Sequence, residues 1–114
     1  MRKYNEILAN RIAEKLMDLP DVEEKIMFGG IVFMVNGKMC IGVSKEDMML
    51  RINPKALENL DNKNGWKQMT MGSKLMKGYI LVSEDVLNRN DELDFWINLA
   101  LEFNPIAKAS KPKR

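Results

Sequence analysis

The sequence contains no histidine and only one cysteine, Cys40. Without histidine, neither a Ser-His-Asp triad nor a Cys-His pair can form, which excludes the common nucleophilic hydrolases. A zinc site needs several Cys or His ligands, and a lone thiol cannot close an internal disulfide. No clustered acidic motif of the kind that holds magnesium stands out. We therefore predict no catalytic residue, no metal ligand and no cofactor-binding residue.

A targeting segment is also missing from the sequence. The opening stretch, MRKYNEILANRIAEKL, is charged and helical in pattern, whereas a secretory signal needs an apolar core. No apolar run approaches the roughly 20 residues that span a membrane. The sequence therefore predicts a cytoplasmic protein without a membrane partner.

The excess of basic residues is confined to the end of the chain. The chain has 18 basic and 16 acidic residues and a net charge of +2. Four of the basic residues lie in the final stretch IAKASKPKR, which leaves 14 basic against 16 acidic residues in the remainder. We predict one folded domain over 1–105, followed by a basic, disordered tail over 106–114. The tail is interpreted as a solubilising end, with contact to nucleic acid as the alternative.

Periodicity and turn signals predict the order α-β-β-β-α-β-β-α. Tyr4, Leu8, Ile12 and Leu16 recur at helical spacing in the first helix, and Asp21, Glu23 and Glu24 are predicted to form a short acidic connection after it. The Asn36-Gly37 pair predicts a hairpin, and Asn53-Pro54 predicts the start of a short helix. The predicted elements are helices over roughly 3–18 and 91–103, strands at 31–35, 39–43, 48–52, 66–71 and 79–83, and a loop over 72–78. The expected fold is an α+β domain with a five-stranded antiparallel sheet and helices on one face.

The pair Gly29-Gly30 raises the question of a phosphate-binding loop. A dinucleotide fingerprint has the form G-x-G-x-x-G and opens a helix, whereas these glycines precede a strand. The stretch Gly72-Ser73-Lys74 has neither the spacing nor the order of a P-loop. Gly29-Gly30 is therefore predicted to be a backbone corner that leads into the hairpin.

Residues around the predicted 72–78 loop form the candidate contact for nucleic acid or another anion. Lys74 and Lys77 lie in that loop, and Arg51 is expected nearby. Trp66 and Tyr79 border the loop and offer rings on which bases can stack. The alternative is a solvated turn beside two core aromatics, which the slightly acidic body of the chain favours.

The stretch IVFMV at 31–35 is apolar on both faces, whereas a sheet with one solvated face alternates apolar and polar residues. Either helices cover both faces, or the second face meets another protein. The ten methionines fit core packing and, alternatively, an adaptable contact surface. We expect a symmetric homodimer formed through the sheet or a methionine-bearing edge, and we expect Cys40 in the core.

Three stretches, MFGGIVFMVNGKM (27–39), LRINP (50–54) and MKGYILV (76–82), resemble the N-terminal domain of the TfoX (Sxy) competence regulators. The resemblance covers nearly the whole chain and implies the fold α-β(3)-α-β(2)-α, similar to secretion-chaperone-like domains. The residues that carry it are Met27, Phe28, Gly29, Gly30, Gly37, Lys38, Arg51, Met76, Lys77, Gly78 and Tyr79.

This resemblance implies a non-enzymatic regulatory module in the transcriptional control of DNA uptake, which contacts the transcription machinery or a regulator. Full-length regulators continue into a second, helical domain, whereas this sequence ends in the basic tail, so a stand-alone member is expected. Some relatives carry the label RNA methyltransferase, but the sequence lacks the cofactor site which that label requires. Direct nucleic-acid binding through Lys74, Lys77 and the tail is the alternative to a protein partner.

Overall fold

Six strands and three α-helices make up the computed structural model, which describes residues 4–27, 29–44 and 47–107. The helices are α1 (Glu6–Leu16), α2 (Glu84–Leu87) and α3 (Asn90–Phe103), and two 3₁₀ helices span Pro54–Asn59 and Asn104–Ile106. The strands are β1 (Val22–Met27), β2 (Gly30–Val35), β3 (Lys38–Val43), β4 (Asp47–Arg51), β5 (Trp66–Met71) and β6 (Lys74–Ser83). All neighbouring strands are antiparallel, in the order β1-β2-β3-β4-β6-β5. The α+β class with an antiparallel sheet is confirmed.

The predicted count of five strands is wrong, because a sixth strand lies at one edge of the sheet. β1 occupies a segment that the sequence predicted as an acidic connection, and it pairs with β2 along its whole length. Glu23, Glu24 and Lys25 hide the apolar alternation by which strands are recognised. Such charges suit an edge strand because they discourage pairing with other chains.

Two shorter segments also differ from the predictions. The helix after Asn53 is a 3₁₀ helix with no buried residue, so no apolar stripe holds it in the α form. Its predicted cap is present, because the Asn53 side chain accepts a hydrogen bond of 3.0 Å from the backbone N–H of Lys55. The predicted loop over 72–78 is wrong, because only Gly72 and Ser73 form the turn and β6 begins at Lys74.

The core lies on one face of the sheet, beneath α1 and α3. α1 contributes Leu8, Ile12 and Leu16 at the predicted helical spacing, and α3 contributes Trp96, all of them buried. Alternate residues of the strands complete this core: Ile31, Phe33, Val35, Ile41, Val43, Met48, Leu50, Ile80 and Val82. Burial of each large apolar side chain contributes about 1.5–3 kcal/mol. The helices therefore cover one face of the sheet, and no helix among the described residues covers the other.

Glycines form the turns on both sides of β2. Asn36 and Gly37 have φ values of 56° and 77°, and a type I′ hairpin turn requires positive φ at both positions. Gly29, in the β1–β2 turn, has φ of 75°. A Cβ atom on Gly30 would overlap the backbone carbonyl of Val43, so only glycine fits there. Gly29-Gly30 is thus a corner between strands, as predicted, and it is followed by β2 rather than by a helix.

The predicted basic tail over 106–114 lies outside the described residues from position 108 onward, so the domain boundary at 105 stays a prediction. The last described element is the 3₁₀ helix Asn104–Ile106. No helix within the described ranges combines the length and apolar character that crossing a lipid bilayer requires.

Candidate functional site: a methionine-lined pocket

The face of the sheet opposite the helices, here called the methionine face, carries a row of residues that crosses all six strands. Directly paired residues of antiparallel strands share one face. Following the pairs from edge to edge gives the row Lys25, Val32, Gly42, Met49, Leu81 and Lys67. At about 4.8 Å per strand this row is roughly 24 Å long. Its centre is apolar, and a lysine stands at each end.

The end of the β5–β6 hairpin, residues 69–77, forms an arm beyond the last residue of β4. β4 pairs with β6 from Tyr79 to Ser83, so the arm has no pairing with β4. Gly78 directly follows the arm, at the point where it joins the sheet, and has φ of 83°. Its carbonyl accepts a 2.7 Å hydrogen bond from the backbone N–H of Ile52, and a Cβ on Gly78 would lie 3.0 Å from the Ile52 oxygen. A side chain at position 78 would therefore strain the point where the arm leaves the sheet.

Between the arm and the sheet lies a half-open cavity of about 200 Å³, which we call the methionine pocket. Its lining includes Val32, Met39, Met49, Met69, Met76 and Leu81. Met69 and Met76 come from the arm, and the others come from the sheet. Val32 and Met49 are 3% and 9% exposed although neither belongs to the core beneath the helices. The pocket therefore buries apolar side chains on a face that no described helix covers.

The chemistry of the methionine pocket suits binding. Among its lining residues only Ser44 and Tyr79 have polar side chains. Thioether side chains are flexible and polarisable, so they adapt to apolar guests of different shape. General acid–base catalysis needs positioned titratable groups, which this lining does not provide apart from the Tyr79 hydroxyl. Such a lining is chemically suited to an apolar side chain.

Cys40 is buried and is the extra residue of a β-bulge between β2 and β3. Burial raises the pKa of its thiol from 9.0 to about 12, and the positive charge of Arg51 opposes this rise only in part. A thiol held in the neutral form is a poor nucleophile. Cys40 therefore lies in the core, as predicted. Within the described ranges, no group of three or more Cys, Asp or Glu side chains is placed to hold a metal ion.

The structure separates the three candidate anion contacts. Lys74 and Lys77 are exposed on the arm. Arg51, the last residue of β4, is half-buried, and its guanidinium carbon lies 5.7 Å from the ring centre of Tyr79 and 6.0 Å from that of Phe103. Its Nη1 is buried and has no hydrogen-bond partner among the described residues. Arg51 thus interacts with two aromatic rings, whereas the two lysines face solvent.

The two aromatic residues predicted to border the loop lie on opposite faces of the sheet. Tyr79 lines the methionine pocket. Trp66 pairs with Val82, which belongs to the core under the helices, and its indole N–H donates to the carbonyl of Leu60 at 3.1 Å. The two rings therefore do not form a shared stacking surface for bases.

Most of the residues that carry the family resemblance belong either to a turn-forming group or to a pocket group. Gly29, Gly30, Gly37 and Gly78 shape the turns and the junction of the arm with the sheet. Lys38 hydrogen-bonds the carbonyls at the end of α3.

Met76 and Tyr79 form the pocket group and line the cavity, with Arg51 stacked beside Tyr79 and Lys77 on the arm. Met27 pairs with Gly30 through the backbone, and Phe28 lies outside the described residues.

The sequence did not single out most of the residues that line the methionine pocket. Met39, Met49 and Met69 lie on three strands, β3, β4 and β5, that only the sheet order brings together, and Lys67 lies on β5 as well. Two signals pointed toward them: the abundance of methionine and the two-sided apolar stretch IVFMV. That stretch contributes Phe33 to the core and Val32 to the pocket, which explains why both of its faces are apolar.

Comparison with known proteins gives one match. The family model described as TfoX N-terminal domain matches residues 14–104, from within α1 to the end of α3 and across all six strands. No curated protein matches the chain significantly. No solved structure does so either.

Proposed function

The chain belongs to the TfoX N-terminal domain family, and we propose that it is a non-enzymatic interaction module that holds an apolar segment of a partner protein in the methionine pocket. In keeping with what the family resemblance implies, we place this partner in the transcriptional control of DNA uptake. The family is not a known enzyme family, which agrees with a binding role.

The observation that carries the proposal is the cavity between the arm and the sheet. Its walls come from five different strands, yet they are lined almost entirely by methionine and aliphatic side chains. An apolar cavity of about 150 Å³ holds a benzene ring, so about 200 Å³ accommodates one leucine or phenylalanine side chain. Burial of one such side chain contributes about 1.5–3 kcal/mol, enough to anchor a longer segment.

Selection of peptides from a random 12-residue library displayed on phage tests the proposal. We expect selection on the immobilised chain to enrich peptides with at least one large apolar residue. Binding of these peptides should fall about tenfold or more in the variant Met69→Gln/Met76→Gln, because the polar amides face the apolar guest. Met17→Gln is the matched control, since Met17 is 71% exposed at the end of α1.

The methionine methyl groups supply a second readout on the unmodified chain. With ¹³C-labelled methionine methyls, an enriched peptide should shift the NMR signals of Met39, Met49, Met69 and Met76 and leave that of Met17 in place. Failure to enrich any peptide, or equal binding to the double variant, would contradict the proposal.

Nucleic-acid binding is the second candidate function, because Lys74 and Lys77 are exposed on the arm. Its affinity should fall linearly with the logarithm of salt concentration. If Lys74→Glu/Lys77→Glu leaves the affinity for duplex DNA unchanged, these residues are not a DNA contact.

We also propose that the chain forms a symmetric homodimer through the sheet or a methionine-bearing edge, as the two-sided strand suggested. Light scattering at high micromolar concentration should then give twice the mass of one chain. A monomer at that concentration would count against the dimer and leave the methionine face open to other partners.

A further inference from the structure

We propose that the partner segment which enters the methionine pocket is acidic, with carboxylates that pair with lysines of the β5–β6 hairpin. This inference rests on the proposed function, because it assigns a charge to the partner of the same pocket. It concerns Lys67 and Lys74, with Lys77 as a neighbouring charge on the arm.

The β5–β6 hairpin is basic and contains no acidic residue. Between Asn62 and Ser83 the chain has four lysines and neither Asp nor Glu. One of them, Lys63, is engaged, because its Nζ lies 2.9 Å from a carboxylate oxygen of Glu92. The other three, Lys67, Lys74 and Lys77, are exposed. Within the part of the chain that the structure describes, these three lysines have no ion-pair partner, in a chain whose body is slightly acidic.

Two of these lysines border the apolar surface. Lys67 is paired with Leu81, so both lie on the methionine face, and Leu81 lines the pocket. Lys74 begins β6 at the tip of the arm, two residues before the lining residue Met76, so strand alternation places both on the same side of the arm. Lys77 directly follows Met76 and stands on the other side of the arm, where it adds positive charge without bordering the pocket. A segment seated in the pocket therefore extends past lysines on the side of β5 and on the side of the arm.

Acidic residues on the methionine face stand away from the arm. Strand alternation places Glu23 on this face, but on the edge strand β1 at the far side of the sheet. It also places Asp47 there, at the start of β4 and four residues from Arg51, which is about 13 Å along the strand. The arm adjoins the opposite end of β4, so neither acid neutralises its lysines.

The apolar centre favours a peptide over nucleic acid as the occupant. Phosphates would meet the lysines, but bases would need an aromatic platform, and Trp66 and Tyr79 lie on opposite faces. An acidic peptide with a large apolar residue satisfies both parts of the surface. Charge pairing of this type raises the association rate and excludes basic partners.

The composition of the peptides selected from the random library tests the inference. We expect the enriched peptides to carry a clear excess of Asp and Glu around the apolar residue, and their affinity to fall as salt concentration rises. Enrichment of neutral or basic apolar peptides would overturn the acidic partner while leaving the proposed function intact. Failure of the whole selection would count against both.

Charge-reversal variants give the second test, with an enriched acidic peptide as the probe. Lys67→Glu/Lys74→Glu should weaken its binding about tenfold, because two attractions become repulsions. Lys55→Glu is the matched control, since Lys55 is an exposed lysine on the 3₁₀ helix Pro54–Asn59. Equal losses of affinity in the two variants would mean that only the net charge of the chain matters, and this would overturn the inference. If duplex DNA binds more tightly than any selected peptide, and if this binding is lost in Lys67→Glu/Lys74→Glu but kept in Lys55→Glu, the lysines are assigned to nucleic acid instead.

Discussion

The Nζ of Lys38 donates a hydrogen bond to the backbone carbonyl of Asn104, 3.0 Å away, and a second to that of Pro105 at 3.3 Å. The Asn104 side chain is buried, donates to the Val35 carbonyl at 3.0 Å and accepts from the Asn36 side chain at 2.9 Å. The β2–β3 turn is thus joined to the end of α3, where free carbonyls and the helix dipole favour a cation. Lys38 has a structural role here.

Replacement of Lys38 by Met should lower the free energy of unfolding by about 1–3 kcal/mol, because two carbonyls lose a charged donor. Urea denaturation followed by circular dichroism measures this change. Lys55→Met, at an exposed position, should change stability by less than about 0.5 kcal/mol. Binding of selected peptides should survive Lys38→Met, and equal stability of the two variants would contradict the assigned role.

The two adjacent glycines of the β1–β2 corner should differ in their tolerance of alanine. At Gly30 a Cβ overlaps the backbone carbonyl of Val43, so Gly30→Ala should cost more than about 3 kcal/mol or force β2 and β3 apart. At Gly29 a Cβ meets nothing within 4 Å, and only its φ of 75° is unfavourable. Gly29→Ala should therefore cost about 1–2 kcal/mol. Thermal unfolding of both variants tests this order, and a larger loss in Gly29→Ala would refute it.

Local sequence signals predicted the parts of the fold that depend on neighbouring residues. Asn36-Gly37 identified its hairpin because few residues tolerate positive φ, and Leu8, Ile12 and Leu16 identified α1 by their spacing. β1 was missed because main-chain pairing at an edge stabilises it, whatever its charges. The methionine pocket was missed because its lining depends on sheet order and on the reach of the arm, neither of which a local pattern encodes.

The burial of Cys40 predicts a pH dependence of stability on the alkaline side. Because its pKa is raised from 9.0 to about 12 in the folded chain, the unfolded chain loses the thiol proton first as the pH rises. The free energy of unfolding should therefore be unaffected by this group below about pH 9 and should fall above it, by up to about 1.4 kcal/mol per pH unit until about pH 12.

The variant Cys40→Ala isolates this contribution, because lysine and tyrosine titrations are common to both chains. Between pH 9 and pH 11, urea denaturation should show a smaller loss of stability in Cys40→Ala than in the unmodified chain. If the free energy of unfolding falls equally with pH in the two chains, folding does not raise the pKa of the Cys40 thiol.

Substitution of Gly42 by alanine should reduce peptide binding without lowering the free energy of unfolding. Gly42 lies next to the last residue of β3, in the row that crosses the methionine face, and it lines the pocket. A Cβ at this position would lie 3.0 Å from the Cε of Met49, which is the mobile end of a flexible side chain. Met49 must then shift. Because the space beside Gly42 is part of the methionine pocket, the pocket becomes smaller.

Gly42→Ala should therefore leave the free energy of unfolding unchanged or raise it by about 0.5–1 kcal/mol, because alanine restricts the unfolded chain and strands disfavour glycine. Its affinity for peptides selected on the unmodified chain should fall about tenfold, since the guest side chain competes with the displaced Met49. Isothermal titration with one selected peptide, together with urea denaturation, measures the two quantities on the same protein. Full affinity in a stably folded Gly42→Ala would show that the guest lies elsewhere, because a methyl group added to the pocket floor must be felt by whatever occupies it.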